Sequence, residues 1–139
     1  MHVVCFVFDH NKIKGLAVKI KEDTSAIMKF LSKEGIPFVV ILTKCDVNNE
    51  AVKLIKFRAF SDREIKNSMD LAMKTFSIKQ SIIFPVINYC HEREVNLEGD
   101  ALLFAAFNEI VNRGLDYLDD NTSDEEEGIE RKPENSVKD

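Results

Sequence analysis

Three short apolar runs that do not alternate with polar residues constrain this chain more than any other feature: Val3 to Phe8, Phe38 to Leu42 and Ile82 to Ile87. All are rich in valine, isoleucine and phenylalanine. Uninterrupted runs of this length suit strands covered on both faces, the situation of a parallel sheet. The segments between and after them carry a helical period. Ser25 to Glu34 places Ile27, Phe30 and Leu31 on one face, with Gly35 as a stop signal. Asp62 to Phe76 opens with a cap at Ser61 or Asp62 and carries Ile65, Met69, Ala72, Met73 and Phe76 at spacings of three and four. Asp100 to Leu118 is the clearest helix, with Leu102, Leu103, Ala106, Phe107, Ile110, Val111, Leu115 and Leu118 read as one continuous apolar face. Strand and helix thus alternate three times, with crossovers of about 25 to 40 residues, which calls for right-handed β-α-β units and an α/β fold.

The chain has 139 residues, a length that fits one domain. Its charge is uneven. Residues 119–139 hold nine carboxylates and three basic side chains, a net of -6, so the overall -5 leaves residues 1–118 at +1. A nearly neutral body argues against a nucleic-acid-binding face, which needs clustered positive charge. From Asp119 onward the apolar period stops, and the segment is expected to be a disordered acidic tail behind a body of residues 1–118. Three cysteines, Cys5, Cys45 and Cys90, build no disulfide framework and point to reduced thiols in the cytosol. No apolar run approaches the ~20 residues of a membrane span. The first run lacks the basic leader of a signal peptide and reads as a strand opening directly after Met1, which suggests that part of the fold lies upstream.

In open parallel sheets ligands bind at the carboxyl ends of the strands. The second run ends Ile41-Leu42-Thr43-Lys44-Cys45-Asp46, and a strand delivering Thr-Lys-x-Asp there resembles the guanine-reading motif of P-loop GTPases. Guanine offers two donors on one edge, the ring N1–H and the exocyclic amine, and one carboxylate can accept both. Adenine lacks that pair, so Asp46 would discriminate. The resemblance lays Lys44 along the base and makes Thr43 a brace for the loop. After the third run, Asn88 and Tyr89 would stand near the base.

Four features taken together, Gly35-Ile36-Pro37 before the second strand, Thr43-Lys44-x-Asp46 after it, Asn88-Tyr89-x-x-Glu92 after the third, and a last helix ending Leu115-Asp116-Tyr117-Leu118-Asp119-Asp120, resemble the interferon-induced protein 44 and 44-like family. The resemblance covers roughly residues 2–120. It implies the C-terminal half of a P-loop GTPase-like domain, in a cytoplasmic protein tied to innate antiviral responses. It also implies a phosphate-binding loop and switch segments upstream. None of the five glycines of this chain stands in G-x-x-x-x-G-K-[ST] or in D-x-x-G. Phosphoryl transfer needs those parts, so no catalytic residue is expected here. GTP or GDP would be held only with the missing half, and neither Mg²⁺ nor another metal is expected for this chain alone.

The other polar residues have blander readings. Asp9 stands at a functional edge but, with His10 and Asn11, reads as a turn. Cys90 and His91 lack a second ligand pair at metal spacing. Cys45 is expected to be a partly exposed, inert loop thiol, Lys44 beside it being able to lower its pKa. The alternative to nucleotide recognition is a non-enzymatic interaction protein on the same scaffold, and an unrelated flavodoxin-like or receiver-like module is a third reading. On the first reading a strand of the missing half would lie beside the first strand, which leaves Val3 to Phe8 as an open apolar edge inviting self-association or a protein partner.

Overall fold

The structure, a computed structural model, describes residues 1–54, 56–88 and 96–129, with residues 53, 54, 56, 57 and 123–129 described by backbone alone. Strands β1 (Val4–Asp9), β2 (Phe38–Thr43) and β3 (Ile83–Pro85) form one parallel sheet in that order. Helix α1 (Val18–Lys33) joins the first two. A short helix α2 (Glu50–Leu54), a 3₁₀ segment over Lys56–Phe60 and helix α3 (Arg63–Phe76) join the second and third, and α4 (Leu97–Ile129) follows the sheet. The α/β class and the parallel sheet agree with the apolar runs. Among the described residues no helix is long and apolar enough to cross a membrane.

The register runs from Val4 opposite Phe38 to Asp9 opposite Thr43, and from Val40 opposite Ile83 to Leu42 opposite Pro85. Phe6, Phe8, Phe38, Val40 and Leu42 therefore share one face. They meet Met28 of α1 and Ile65, Met69, Ala72 and Phe76 of α3 in the main core. The Phe8 ring stacks on Phe76 at 5.4 Å, and Phe6 meets Phe38 edge-on at 5.7 Å. β3 is shorter than its apolar run, and Pro85, whose nitrogen faces away from β2, leaves the ladder to β2 intact. One further bond, Val86 N–H to Leu42 O at 2.8 Å, extends the pairing.

The caps explain where the helices begin and end. Asp62 Oδ1 accepts from the backbone N–H of Glu64 at 2.9 Å and of Ile65 at 3.2 Å, starting α3. Asn96 Oδ1 accepts from Gly99 N–H at 2.9 Å and starts α4. α1 stops at Gly35, whose φ of +69° favours glycine, with Ile36 N–H returning to Leu31 O at 2.9 Å.

Several expectations are corrected. β2 is covered on both faces, but β1 is not: Cys5 and Val7 point away from Phe6 and Phe8 and are exposed, Val7 by 59%. Among the described residues the outer edge of β1 has no strand beside it. α1 begins at Val18 rather than Ser25, and it buries Thr24, Met28 and Leu31 while Ile27 and Phe30 lie half exposed. The apolar face of α4 divides in two. Leu102 and Ala106 are buried against a body in which α4 contacts β2 and β3, whereas Phe104, Phe107, Val111, Leu115 and Leu118 form a second, bare stripe. α4 also runs on past Leu118 to Ile129, eleven residues into the segment read from sequence as an acidic tail. A formed helix adds each further residue at little cost. Here Thr122 Oγ1 donates to Leu118 O at 3.0 Å, and Asn121 Nδ2 donates to Tyr117 O at 2.6 Å. Residues 130–139 lie outside the described residues.

Candidate functional site

The parallel register brings the carboxyl ends of the three strands together, and with them Asp9 to Asn11, Thr43 to Asp46, and Asn88. Thr43 is tied to the neighbouring strand, its hydroxyl donating to Phe8 O at 3.2 Å. Lys44 follows with φ +58°, a left-handed conformation that a residue with a Cβ seldom adopts. The chain then folds into consecutive turns, Val47 N–H donating to Lys44 O at 3.1 Å and Asn49 N–H to Asp46 O at 3.2 Å.

Lys44 is held from three directions. Its Nζ lies 3.1 Å from Asp9 Oδ2, its carbonyl accepts from Asn11 Nδ2 at 3.3 Å, and its N–H donates to Asn88 Oδ1 at 3.4 Å. Asp9 Oδ1 in turn accepts from the Asn11 backbone at 3.0 Å and from its side chain at 3.4 Å. Desolvation alone would raise the Asp9 pKa. The hydrogen bonds from Asn11 and Lys44 and the lysine charge outweigh it and hold the carboxyl below its ordinary range. The Lys44 side chain remains half exposed, and Asp46, two residues on, is partly buried.

Beneath the rim the loop is anchored by Cys45, which is fully buried, with Sγ 3.2 Å from Leu42 O. Burial pushes its thiol up to about 12, so the expected partial exposure and any activation by Lys44 are both overturned. His10 is also buried. Its Nδ1 has no hydrogen-bond partner among the described residues, and its imidazole is held below the usual value by desolvation.

Thr43, Lys44, Asp46 and Asn88 thus converge at one edge of the sheet, while Tyr89, Cys90 and His91 lie outside the described residues. Two members of the cluster were not read from sequence as such. Asp9 and Asn11 do form a turn, but the turn's carboxylate is also the partner of Lys44. The signal was an acidic residue ending the strand beside one that ends in Thr-Lys. Among the described residues no group of three or more His, Cys, Asp or Glu could hold a metal ion. A cavity of about 390 Å³ opens at the other end of the sheet, near Pro37, Phe38 and Ile82, and is not part of this cluster.

Comparison with curated proteins gives two informative relatives. Interferon-induced protein 44-like from Homo sapiens is 27% identical over 131 residues, covering 94% of this chain and 29% of its own length. Interferon-induced protein 44 from Mus musculus is 26% identical over 120 residues, covering 86% of this chain and 28% of its own. This chain is a distant relative of the interferon-induced protein 44 and 44-like proteins. It spans less than a third of the length of either. The match to the human 44-like protein extends over 131 of 139 residues, so it takes in more than the Thr43-to-Asp46 loop. No family model matches the chain, and no solved structure matches it.

Proposed function

We propose that this chain is the base-reading portion of a guanine-nucleotide-binding α/β domain, in a cytoplasmic protein of the interferon-induced 44 kind acting in the innate antiviral response. One observation carries the nucleotide reading: Lys44 and Asp46 stand on a loop at the carboxyl edge of a parallel sheet, and residues from both neighbouring strand ends fix that loop. A carboxylate carried on a braced loop at this edge suits two adjacent N–H donors, and a half-exposed lysine stem suits the flat face of a base. The residues fit a guanine base. They offer no glycine-rich cradle for phosphates, so this portion reads the base and does not by itself transfer a phosphoryl group.

The test is Asp46→Asn in a protein that joins this chain to a phosphate-binding half. The asparagine keeps one acceptor for N1–H but turns an NH₂ toward the exocyclic amine, leaving two donors face to face. An unsatisfied donor costs about 1–3 kcal/mol, so GTP affinity falls about tenfold to a hundredfold. Xanthine carries an oxygen at that position, so xanthosine triphosphate is gained as GTP is lost. Unchanged affinities for both would remove the nucleotide reading.

The second reading is a protein-interaction module. It is favoured by the open edge of β1, by exposed Cys5 and Val7, and by the bare stripe of α4.

A further inference from the structure

We infer that Asp9, acting with Asn11, is a positioning residue for the base-reading loop: it sets the place of the Lys44 ammonium and the backbone turn that presents Asp46, without itself touching the nucleotide. The inference rests on the base-reading proposal above and goes beyond it by assigning residues of β1 to the work of the β2 loop.

The geometry separates the roles. Asp9 Oδ2 takes one side of the Lys44 ammonium at 3.1 Å. The aspartate side chain is only 18% exposed while that of lysine is 50% exposed, so the carboxylate stands behind the lysine and the lysine faces outward. Asn11 links the same carboxylate to the Lys44 carbonyl. The left-handed turn at Lys44 is intrinsically disfavoured for a side-chain-bearing residue, so it persists only where its surroundings impose it. Asp9, Asn11 and Asn88 are those surroundings, and two of the three come from the segment that ends β1. Asp9→Asn would keep one oxygen for Asn11 but turn an NH₂ donor toward the ammonium, which loses its partner. The Lys44 turn would then be populated only part of the time, and either nucleotide would have to restore the whole loop before binding, at the same cost.

A positioning role makes a prediction that a direct contact does not. Affinity depends on Asp9, but discrimination between bases, which belongs to Asp46, does not. The experiment uses the protein that joins this chain to a phosphate-binding half and follows Lys44, Asp46 and Asn88 by NMR during titration with guanosine 5′-diphosphate and, separately, adenosine 5′-diphosphate. With the natural sequence the guanosine nucleotide shifts the three residues more strongly than the adenosine one. Asp9→Asn disturbs the Lys44 amide before any ligand is added and lowers affinity for both nucleotides by the same factor, about threefold to tenfold. Their ratio is unchanged, and Asp9→Glu recovers part of the loss. Asn11→Ala, which keeps the ion pair but removes the link to the carbonyl, has a smaller effect of the same kind and serves if Asp9→Asn does not fold. An unperturbed Lys44 amide and unchanged affinity in Asp9→Asn overturn the inference. A collapse of the guanosine-to-adenosine ratio overturns it too, because Asp9 would then be touching the base. If the guanosine nucleotide moves none of the three residues in the natural sequence, the base-reading proposal falls and the inference falls with it.

Discussion

Replacing Phe104 and Phe107 by glutamine tests what the bare stripe of α4 is for. The two rings are 70% and 61% exposed. A phenylalanine presents about 200 Å², so together they offer about 260 Å² of apolar surface to anything that covers them. At ~25 cal/mol per Å² this corresponds to roughly 6 kcal/mol of gross burial free energy. Association consumes much of that in lost freedom and imperfect fit. If only a third survives, about 2 kcal/mol, the association constant falls about thirtyfold on substitution. Glutamine is a good helix former and retains methylene groups over the shoulder of each site, so the fold itself loses only about 1–2 kcal/mol. Sedimentation equilibrium over a concentration series reads the first quantity and thermal unfolding the second. The natural chain should self-associate, and the double variant should remain monomeric with a small drop in Tm. Leu102→Ala is the contrasting variant: at 1% exposure it costs about 2–5 kcal/mol of stability and lowers Tm sharply. A natural chain that stays monomeric at its highest soluble concentration, or a double variant that associates as tightly as the natural chain, would refute the reasoning.

The remaining predictions concern buried titrating groups. Cys45, whose thiol is pushed up to about 12, should stay unmodified by a thiol reagent at neutral pH while exposed Cys5 reacts, and peptide mapping by mass spectrometry that finds both labelled at equal rates would contradict its burial. For His10, desolvation lowers the pKa and Lys14 adds to that, against the opposing pull of Glu64, Asp62 and Asp9. The unfolded chain therefore takes up this proton first, and stability falls as pH drops from about 6.5 toward the folded-state value. Denaturant titrations should show that His10→Asn flattens this part of the pH curve, and an unaltered slope would show that His10 does not drive it.

Which parts of the fold were legible follows from what each signal depends on. α3 was readable to within a residue because its cap, Asp62, and its apolar spacing are local properties. The start of α1 was missed because Ala17 provides no side-chain cap, so nothing in the sequence marks a beginning at Val18. Its buried face was misread for a different reason. Ile27 and Phe30 are as apolar as Met28 and Leu31, and only the position of α3 and the sheet decides which pair is covered. The split stripe of α4 and the exposed Val7 have the same cause, since apolar periodicity reports which surface prefers cover and not which surface has it. The strand-end rule put Thr43, Lys44, Asp46 and Asn88 at the carboxyl edge of the sheet, which is where the register brings them. The link from Asp9 to Lys44 needs the pairing of Asp9 with Thr43, a register that no single segment encodes.

The site and the bare surfaces are unequal in completeness, and the difference bears on how the chain can act. Every described brace of the Lys44 turn comes from residues between Phe8 and Asn88, all within the three strands and their ends. Those contacts brace the loop from both neighbouring strand ends. The apolar surfaces along β1 and α4 are different, because Val7 and the stripe from Phe104 to Leu118 remain exposed, most of all at the two phenylalanines. A ligand at the carboxyl edge meets a preformed loop and spends little free energy on ordering it. A partner on the apolar side gains burial without having to create the surface it buries. The Asp9 and Phe104/Phe107 substitutions should then act independently, since one alters the loop at the sheet edge and the other an exposed helix face with no shared partner. A quadruple of proteins, natural, Asp9→Asn, Phe104→Gln/Phe107→Gln and the combination, should give additive changes in nucleotide affinity and in association. A coupling well outside additivity would mean that covering the apolar side reshapes the Lys44 loop, and that the two surfaces form one device rather than two.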